Sequence, residues 1–371
     1  MVHTWIATAA FGLEGVVGSE LRRLKMKDVE VTVGGARFSA TPDEAFRASL
    51  WLRSADRVLL LIKESKALSF EDLFQFVKGV HWEKYIPKDG TFPVTGKCAR
   101  SQLMSVRDCQ SITKKAIVER LRGVYKLDIF PETKESYLID ISIHNDIARL
   151  TLDASGDALN KRGYRTLNGD AAMRETLAAA LIELSPWKPG MLLYDPCCGT
   201  GTLLIEAAMI AAKRAPGLER RFAMEDWRFI DTSAFSSLRD TARAAFDDSP
   251  AYLNIAGSDI DPVALKMCKK HIVNAGFSNR ILVKEQDLAT LKLQEEGGVF
   301  ILNPPYGERL SDRRACEKLY KEIGLLLKRH PGFSLCVISS HPMLERLIGR
   351  RAAKKRRLYN GRLECEFLIF N

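Results

Sequence analysis

One stretch constrains this chain more than any other: Met191 to Lys213, MLLYDPCCGTGTLLIEAAMIAAK. Met191 to Tyr194 are apolar and read as a short, buried parallel strand. The small-residue turn Asp195-Pro-Cys-Cys-Gly-Thr-Gly201 follows. A helix-period run then starts at Thr202 and lasts to about Ala212, with Pro216 and Gly217 ending it. A strand that turns sharply into a helix places backbone N–H groups and a helix N-terminus at the strand's carboxyl end, where open α/β sheets bind ligands. The dinucleotide fingerprint would require Gly or Ala three positions after the second Gly, and here that position is Leu204. Asp195 also fixes a carboxylate at the strand end, which suits an ammonium or sulfonium and opposes a pyrophosphate. A plain strand–turn–helix around two buried cysteines is the competing reading.

The residues downstream follow the same plan. A polar, aromatic-containing insert runs from Arg214 to Pro250, and the next strand is expected from Tyr252 to Ala256, ending in Gly257-Ser-Asp-Ile-Asp261. Asp259, nearest the strand, is placed to accept both hydroxyls of a ribose. Asp261 caps the helix that Pro262 opens, which spans Val263 to Ala275 and ends at Gly276. Strand Ile281 to Lys284 leads to Asp287, which either accepts from an adenine amino group or caps a turn. Gly298 to Leu302 is a fourth apolar strand, followed by Asn303-Pro-Pro-Tyr-Gly307. A helix (Arg314 to Arg329), a strand (Ser334 to Ser339) and a short helix after His341-Pro342 come next. The closing pair, Ala353 to Tyr359 and Leu363 to Phe370, is joined at Asn360-Gly361, a hairpin signal. This order implies a seven-stranded, mostly parallel sheet with an antiparallel last strand.

Asn303-Pro-Pro-Tyr306 carries a specific chemistry. An amino nitrogen conjugated to a ring or carbonyl is a poor nucleophile because its lone pair is delocalised. Two acceptors on its two N–H bonds draw it towards tetrahedral geometry and localise that pair. Asn303 Oδ1 and the Pro304 carbonyl are such acceptors; Pro304 and Pro305 stiffen the loop, and Tyr306 can stack on a planar substrate. Methyl transfer from a sulfonium needs in-line approach at about 3–3.5 Å, and preorganised acceptors favour the developing charge. The alternative for these four residues is a rigid turn.

The N-terminal half is of another kind. Residues 1–65 give the order strand (Trp5 to Ala9), helix (Leu13 to Leu24), two strands around Gly34-Gly35 (Val29 to Val33, Ala36 to Ala40), helix (Asp43 to Leu52) and strand (Arg57 to Lys63), which is ferredoxin-like. Residues 66–155 hold a helix (Phe70 to Lys78), a strand (Thr91 to Lys97), a helix capped by Asp108 that runs to Arg122, and two strands (Tyr137 to Ile143, Ile147 to Asp153). Lys97, Arg100, Lys114, Lys115, Arg120 and Arg122 make a phosphate-binding face or a solvated one. Residues 156–170, with Gly156, Gly163 and Gly169, are the linker candidate, and 171–371 form the catalytic domain, opening with a helix from Met173 to Leu184. The cluster Arg350-Arg-Ala-Ala-Lys-Lys-Arg-Arg357 is open to the same two readings as the other cations.

Composition sets broad limits. A chain of 371 residues should divide into two or three domains. Its 56 basic against 46 acidic residues, net +10, point only weakly to nucleic acid. Eight cysteines show no CxxC pair and no zinc spacing, so no metal is expected and a reducing compartment is. With no signal-like N-terminus and no run of about 20 apolar residues, the expected location is the cytoplasm.

With these residues in view, the chain resembles the THUMP-domain RNA methyltransferases over nearly its full length. The resemblance lies in Lys161-Arg-Gly-Tyr-Arg165, Arg174-Glu-Thr-Leu-Ala178, DPCCGTGTLLIEAA, GSDIDP, NPPYGERL and Leu358-Tyr-Asn-Gly361. It implies ferredoxin-like and THUMP modules ahead of a Rossmann-like, S-adenosylmethionine-dependent domain, and RNA as partner. Within the family it is most similar to bacterial enzymes that methylate guanine N2 in 23S rRNA, and to relatives that modify tRNA. It further implies that Asp195, Gly199 and Gly201 bind the methionine end, with Pro196 beside them and Thr176 assisting. Asp259 would take the ribose and Asp287 the adenine. Asn303, Pro304, Pro305 and Tyr306 would form the target-amine site, with Asn303 also against the cofactor. Cys197 and Cys198 are assigned to packing. Adenine N6, a protein glutamine N5, and an RNA-binding protein with a silent catalytic domain are the alternatives.

Overall fold

A computed structural model describes residues 1–167, 173–247, 253–306 and 310–371. Gly169, Pro250, Tyr252 and the Gly307-Glu308-Arg309 part of the NPPYGERL motif lie outside the described residues. Among the described residues two seven-stranded sheets carry the fold, one in each half of the chain.

The first sheet is built from β1 (His3–Thr8), β2 (Lys27–Thr32), β3 (Gly35–Ala40), β4 (Arg57–Lys66), β5 (Val94–Ala99), β6 (Ile139–His144) and β7 (Ile147–Asp153). Interleaved with them are α1 (Glu14–Arg23), α2 (Pro42–Trp51), α3 (Phe70–Lys78) and α4 (Val106–Tyr125). Its order is β2-β3-β1-β4-β7-β6-β5. The ten-residue β4 is the joint: its first half pairs with β1 and, from Leu59 to Lys66, it pairs with β7. The ferredoxin-like and THUMP modules therefore share one continuous sheet and one continuous core.

Two local expectations shift by a few residues. The first hairpin turns at Val33-Gly34, with Gly34 at φ +80°, because Gly35 already pairs with Thr32. Gly35 has its own reason to be glycine, since a Cβ there would lie 2.2 Å from the Ala7 carbonyl oxygen. Helix α4 is capped by Ser105, whose hydroxyl accepts from the Asp108 N–H, rather than by Asp108.

The second sheet has the order β10-β9-β8-β11-β12-β14-β13. It is reached through α5 (Glu175–Leu184) and comprises β8 (Leu193–Asp195), β9 (Ile255–Asp259), β10 (Ile281–Glu285), β11 (Gly298–Leu302), β12 (Phe333–Ser339), β13 (Lys354–Asn360) and β14 (Leu363–Phe370). The connecting helices are α6 (Thr202–Ala211), α7 (Phe235–Ala244), α8 (Pro262–Asn274), α9 (Leu310–Arg329) and α10 (Leu344–Ile348). Strands β10 to β12 are parallel, and the last strand, β14, is antiparallel and seated between β12 and β13. The expected strand at 252–256 lies further along, so that Gly257, Ser258 and Asp259 are inside it. Gly257 permits this: a Cβ would stand 2.8 Å from both the Asp195 carbonyl oxygen and Leu204 Cδ1. The closing turn is Gly361-Arg362, because Asn360 remains paired with Leu363.

The insert after α6 belongs to the core of the N-terminal half. Trp227 stacks on Trp5 with ring centroids 6.5 Å apart, and Phe235 stacks on Phe46 at 4.0 Å. Phe229 reaches Tyr85 and Tyr137 in the THUMP module. One polypeptide excursion thus closes both N-terminal modules against the catalytic one. The connecting segment is pinned as well. Arg162 is buried and donates to the Leu159 and Arg53 carbonyls, while Tyr164 donates to Glu206 on α6 at 3.1 Å. Arg165 donates to Thr202 Oγ1, the first residue of α6, at 2.7 Å. No described helix is long and apolar enough to cross a membrane.

Candidate active site

Three adjacent parallel strands, β9, β8 and β11, end side by side, and their carboxyl-terminal loops hold the sequence-expected residues. After β8, Asp195 is buried and its Oδ1 accepts from the Cys197 N–H at 3.0 Å. Burial holds this carboxyl well above the usual range, and the charge of Asp259 adds to the effect. Gly199 and Gly201 both have left-handed backbones, φ +51° and +83°. A Cβ on Gly199 would stand in open space, whereas one on Gly201 would lie 2.5 Å from Cys268 Sγ. Gly201 is therefore fixed by both conformation and packing.

Asp259 ties the two strand ends together. Its Oδ2 accepts from the Gly199 N–H at 2.7 Å and its Oδ1 from the Asp261 N–H at 3.0 Å. Each carboxylate oxygen keeps a second lone-pair direction for a ligand. Asp261 caps α8 as expected, accepting from the Val263 N–H at 2.8 Å. Asp287 accepts from the Ala289 N–H at 2.8 Å, a capping bond at the start of a short 3₁₀ turn. Pro196 is buried beside Asp195. Thr176 is buried in the first turn of α5, and its hydroxyl donates to Asp56 Oδ1 at 3.0 Å, across the junction with the N-terminal half.

The cysteine pair faces two cores. Cys198 is buried with its thiol against Cys268, and Cys197 packs half-buried on the other side of the sheet. Burial raises the Cys197 thiol well above its ordinary value, with the neighbouring carboxylates adding to it, which favours the neutral thiol. Among the described residues no cluster of His, Cys, Asp or Glu is arranged to hold a metal ion.

The loop after β11 closes on itself. Tyr306 donates its hydroxyl to Asn303 Oδ1 at 2.5 Å, and Asn360, at the end of β13, donates from Nδ2 to the Tyr306 oxygen at 3.1 Å. Behind them Tyr320 donates to the Pro305 carbonyl at 2.9 Å and bonds Ser339 Oγ at 2.9 Å. Burial pushes the Tyr306 phenol above its ordinary value, so it stays a protonated donor at neutral pH. Among the described residues none donates to the Pro304 carbonyl. In the sequence Asn360 reads as a turn residue of the closing hairpin, with no link to the site. It lies 54 positions from Tyr306, and the β14–β13 pairing is what brings it back.

The six cations named in the THUMP module do not form one face. Lys114 donates to Glu132 at 2.8 Å and lies over the Phe92 ring, Arg120 forks onto Glu83, and Arg122 pairs with Asp128 at 3.7 Å. Lys97, Arg100 and Lys115 are exposed and make no ion pair among the described residues. Cys98 meets Cys109 of α4 at 3.7 Å, so Lys97, its neighbour on β5, lies on the opposite face of the strand from α4.

This arrangement is matched by known families. Residues 162–369 match the model described as RMKL-like, methyltransferase domain; residues 4–59 match the RlmL ferredoxin-like domain and 67–153 the THUMP domain. The chain belongs to the RMKL-like methyltransferase family. It has the class I methyltransferase sheet, preceded by ferredoxin-like and THUMP domains, and its cofactor is S-adenosylmethionine. A Bacillus subtilis protein named "Putative RNA methyltransferase YpsC" is 40% identical over 98% of this chain and 95% of its own length. The ribosomal RNA large subunit methyltransferase K/L of Syntrophotalea carbinolica is 35% identical over 99% of this chain, which spans 53% of that protein. Among solved structures, a Listeria monocytogenes protein described as a predicted N6-adenine-specific DNA methylase aligns with a TM-score of 0.93 at 40% identity, covering 100% of this chain and 96% of that one. SMU.472, a methyltransferase crystallised with SAH, gives 0.93 at 38% identity, covering 100% and 98%.

The donor set fits the cofactor. The open space at Gly199, the α6 N-terminus and two carboxylates at neighbouring strand ends suit a ligand with an ammonium and a ribose. When bound, that cofactor supplies a methyl group on a sulfonium.

Proposed function

We propose that this protein methylates the exocyclic N2 of a guanine in RNA, with 23S ribosomal RNA as the first substrate to examine. The observation that carries the proposal is the Asn303-Pro-Pro-Tyr306 loop. It is held by Tyr306 and Asn360 at the end of β11, beside the glycine loop of β8. In this reading Asp195, Pro196, Gly199 and Gly201 hold the methionine end of the cofactor, Asp259 the ribose and Asp287 the adenine, with Asn303 at the border of the two subsites. Thr176, whose hydroxyl donates to Asp56 and keeps its acceptor side, assists at the methionine end. Asn303 Oδ1 and the Pro304 carbonyl accept the two amino hydrogens, and Tyr306 lies against the base. A base in a stacked helix cannot reach this loop, so the nucleotide is extruded. The THUMP module, through Lys97, Arg100 and Lys115, holds the RNA outside the pocket.

RNA as substrate is favoured by the THUMP module and by the names of the relatives. The adenine description of the Listeria neighbour is the specific observation behind the second reading, adenine N6. Incubation with labelled S-adenosylmethionine and RNA from a strain lacking the gene, followed by nucleoside digestion, separates them. N2-methylguanosine is expected; label in N6-methyladenosine or in protease-sensitive material would refute the proposal. Asn303→Ala is expected to abolish transfer and leave cofactor affinity nearly unchanged.

A further inference from the structure

The largest concentration of charge outside this pocket is on the closing hairpin. Residues 350–366 hold seven Lys and Arg against two Glu, a net of +5 where the whole chain carries +10. Internal pairing removes little of it. Lys355 meets Glu345 at 2.5 Å, Arg357 meets Glu364 at 2.5 Å, and Arg356 donates to the Gly12 carbonyl at 3.2 Å. Arg350, Arg351, Lys354 and Arg362 are exposed and form no ion pair among the described residues. β13 is an edge strand, pairing only with β14. Successive side chains alternate in face, so Lys354 and Arg356 lie on one side of the strand and Lys355 and Arg357 on the other, and the cations line both sides of the edge.

The strand itself runs to the candidate site. The strand bearing Lys354 to Arg357 ends at Asn360, whose amide holds Tyr306. Charged residues also protect an edge strand from pairing with another sheet. Protection is served by charges on the strand itself. It gives no reason for unpaired arginines in the loop before the strand, at 350 and 351, and in the turn after it, at 362.

We infer that this edge binds the phosphates flanking the target nucleotide, so that the catalytic domain grips the RNA strand beside the pocket in addition to the THUMP module. The inference rests on RNA being the substrate. Extruding a base leaves its neighbouring phosphates at the mouth of the pocket, and positively charged surfaces track single-stranded backbones.

The test compares full-length Arg350→Gln/Arg351→Gln/Lys354→Gln with an equal-charge control, Lys266→Gln/Lys269→Gln/Lys270→Gln on the exposed face of α8, towards the other end of the sheet. Anisotropy with a short unstructured RNA oligonucleotide gives the salt dependence of binding. Three lost phosphate contacts lower the slope of log K against log salt by about 2. That drop is expected in the hairpin variant, together with at least a tenfold loss of kcat/KM on bulk RNA; the control should show less than half the slope change. Equal slopes in the two variants, or competition by polyglutamate as strong as by RNA, would overturn the inference. Photo-cross-linking of a 4-thiouridine oligonucleotide to the unmodified protein is independent of any folding defect. Adducts within 350–362 support the inference, and adducts confined elsewhere overturn it. If the unmodified protein methylates RNA while the hairpin slope is unchanged, only this inference fails; if it labels no RNA, the substrate reading fails with it.

Discussion

The chain of hydrogen bonds Asn360 → Tyr306 → Asn303 makes a quantitative prediction about catalysis. Among the described residues Asn360 reaches the loop through one hydrogen bond, to the Tyr306 oxygen at 3.1 Å, and not through the acceptors themselves. Tyr306 in turn fixes Asn303 Oδ1 at 2.5 Å. One such bond contributes about 1 kcal/mol, which corresponds to about a fivefold change in rate if it is felt at the transition state. Tyr306→Phe keeps the ring and removes the hydroxyl; Asn360→Ala keeps the hydroxyl and removes its donor. Each single variant should lower kcat by about fivefold with cofactor affinity unchanged. The double variant should be no slower than Tyr306→Phe alone, because Asn360 acts only through the hydroxyl that is already gone. The assay is label transfer to bulk RNA at saturating cofactor, with cofactor affinity measured by calorimetry. An additive double variant, about 25-fold slower by the same estimate, would show that Asn360 acts by another route. A parallel fall in cofactor affinity would remove the positioning role.

Two further outcomes follow from the charges. Burial raises the Asp195 carboxyl above its ordinary value in the ligand-free protein, and a cationic group bound beside it stabilises the ionised form. Cofactor binding should therefore release a proton, and affinity should rise with pH between the ordinary carboxylate range and the raised value, then level off. Calorimetry below pH 7 in two buffers of different ionisation heat measures this. Proton release that persists in Asp195→Asn would assign it to another group. In the THUMP module, Lys97→Gln/Arg100→Gln/Lys115→Gln should reduce the salt slope of RNA binding, since these cations form no ion pair among the described residues, Lys115 lying only over the Phe74 ring. Lys114→Gln/Arg120→Gln/Arg122→Gln should instead lower the melting temperature more than the slope. The reverse pattern would place the RNA on α4.

What the sequence made legible was local. The strand, glycine turn and helix around Asp195 follow from apolar runs and left-handed positions, which are properties of neighbouring residues. The strand ends at Asp259 and Asn303 follow from repetition of the same unit. Even there, the strand runs on through Gly257 to Asp259, because a glycine that packs against Asp195 and Leu204 has no hydrophobic signature. Contacts made across the sheet order were invisible. The join of β4 to β7 merges two modules into one sheet, and nothing in either strand names its partner. Trp227, Phe229 and Phe235 looked like aromatic residues in a polar insert, yet they fill a core some 90 to 220 positions earlier in the chain. The cations show the same limit from the other side. Lys114, Arg120 and Arg122 count as positive charge in a composition, but Glu132, Glu83 and Asp128 cancel them locally, while Arg350, Arg351 and Lys354 keep theirs. A count of basic residues therefore misplaces the surface that attracts phosphate. Among the described residues the set without ion pairs falls at the edge of the second sheet as well as in the THUMP module, so phosphate attraction is divided between the two halves of the chain.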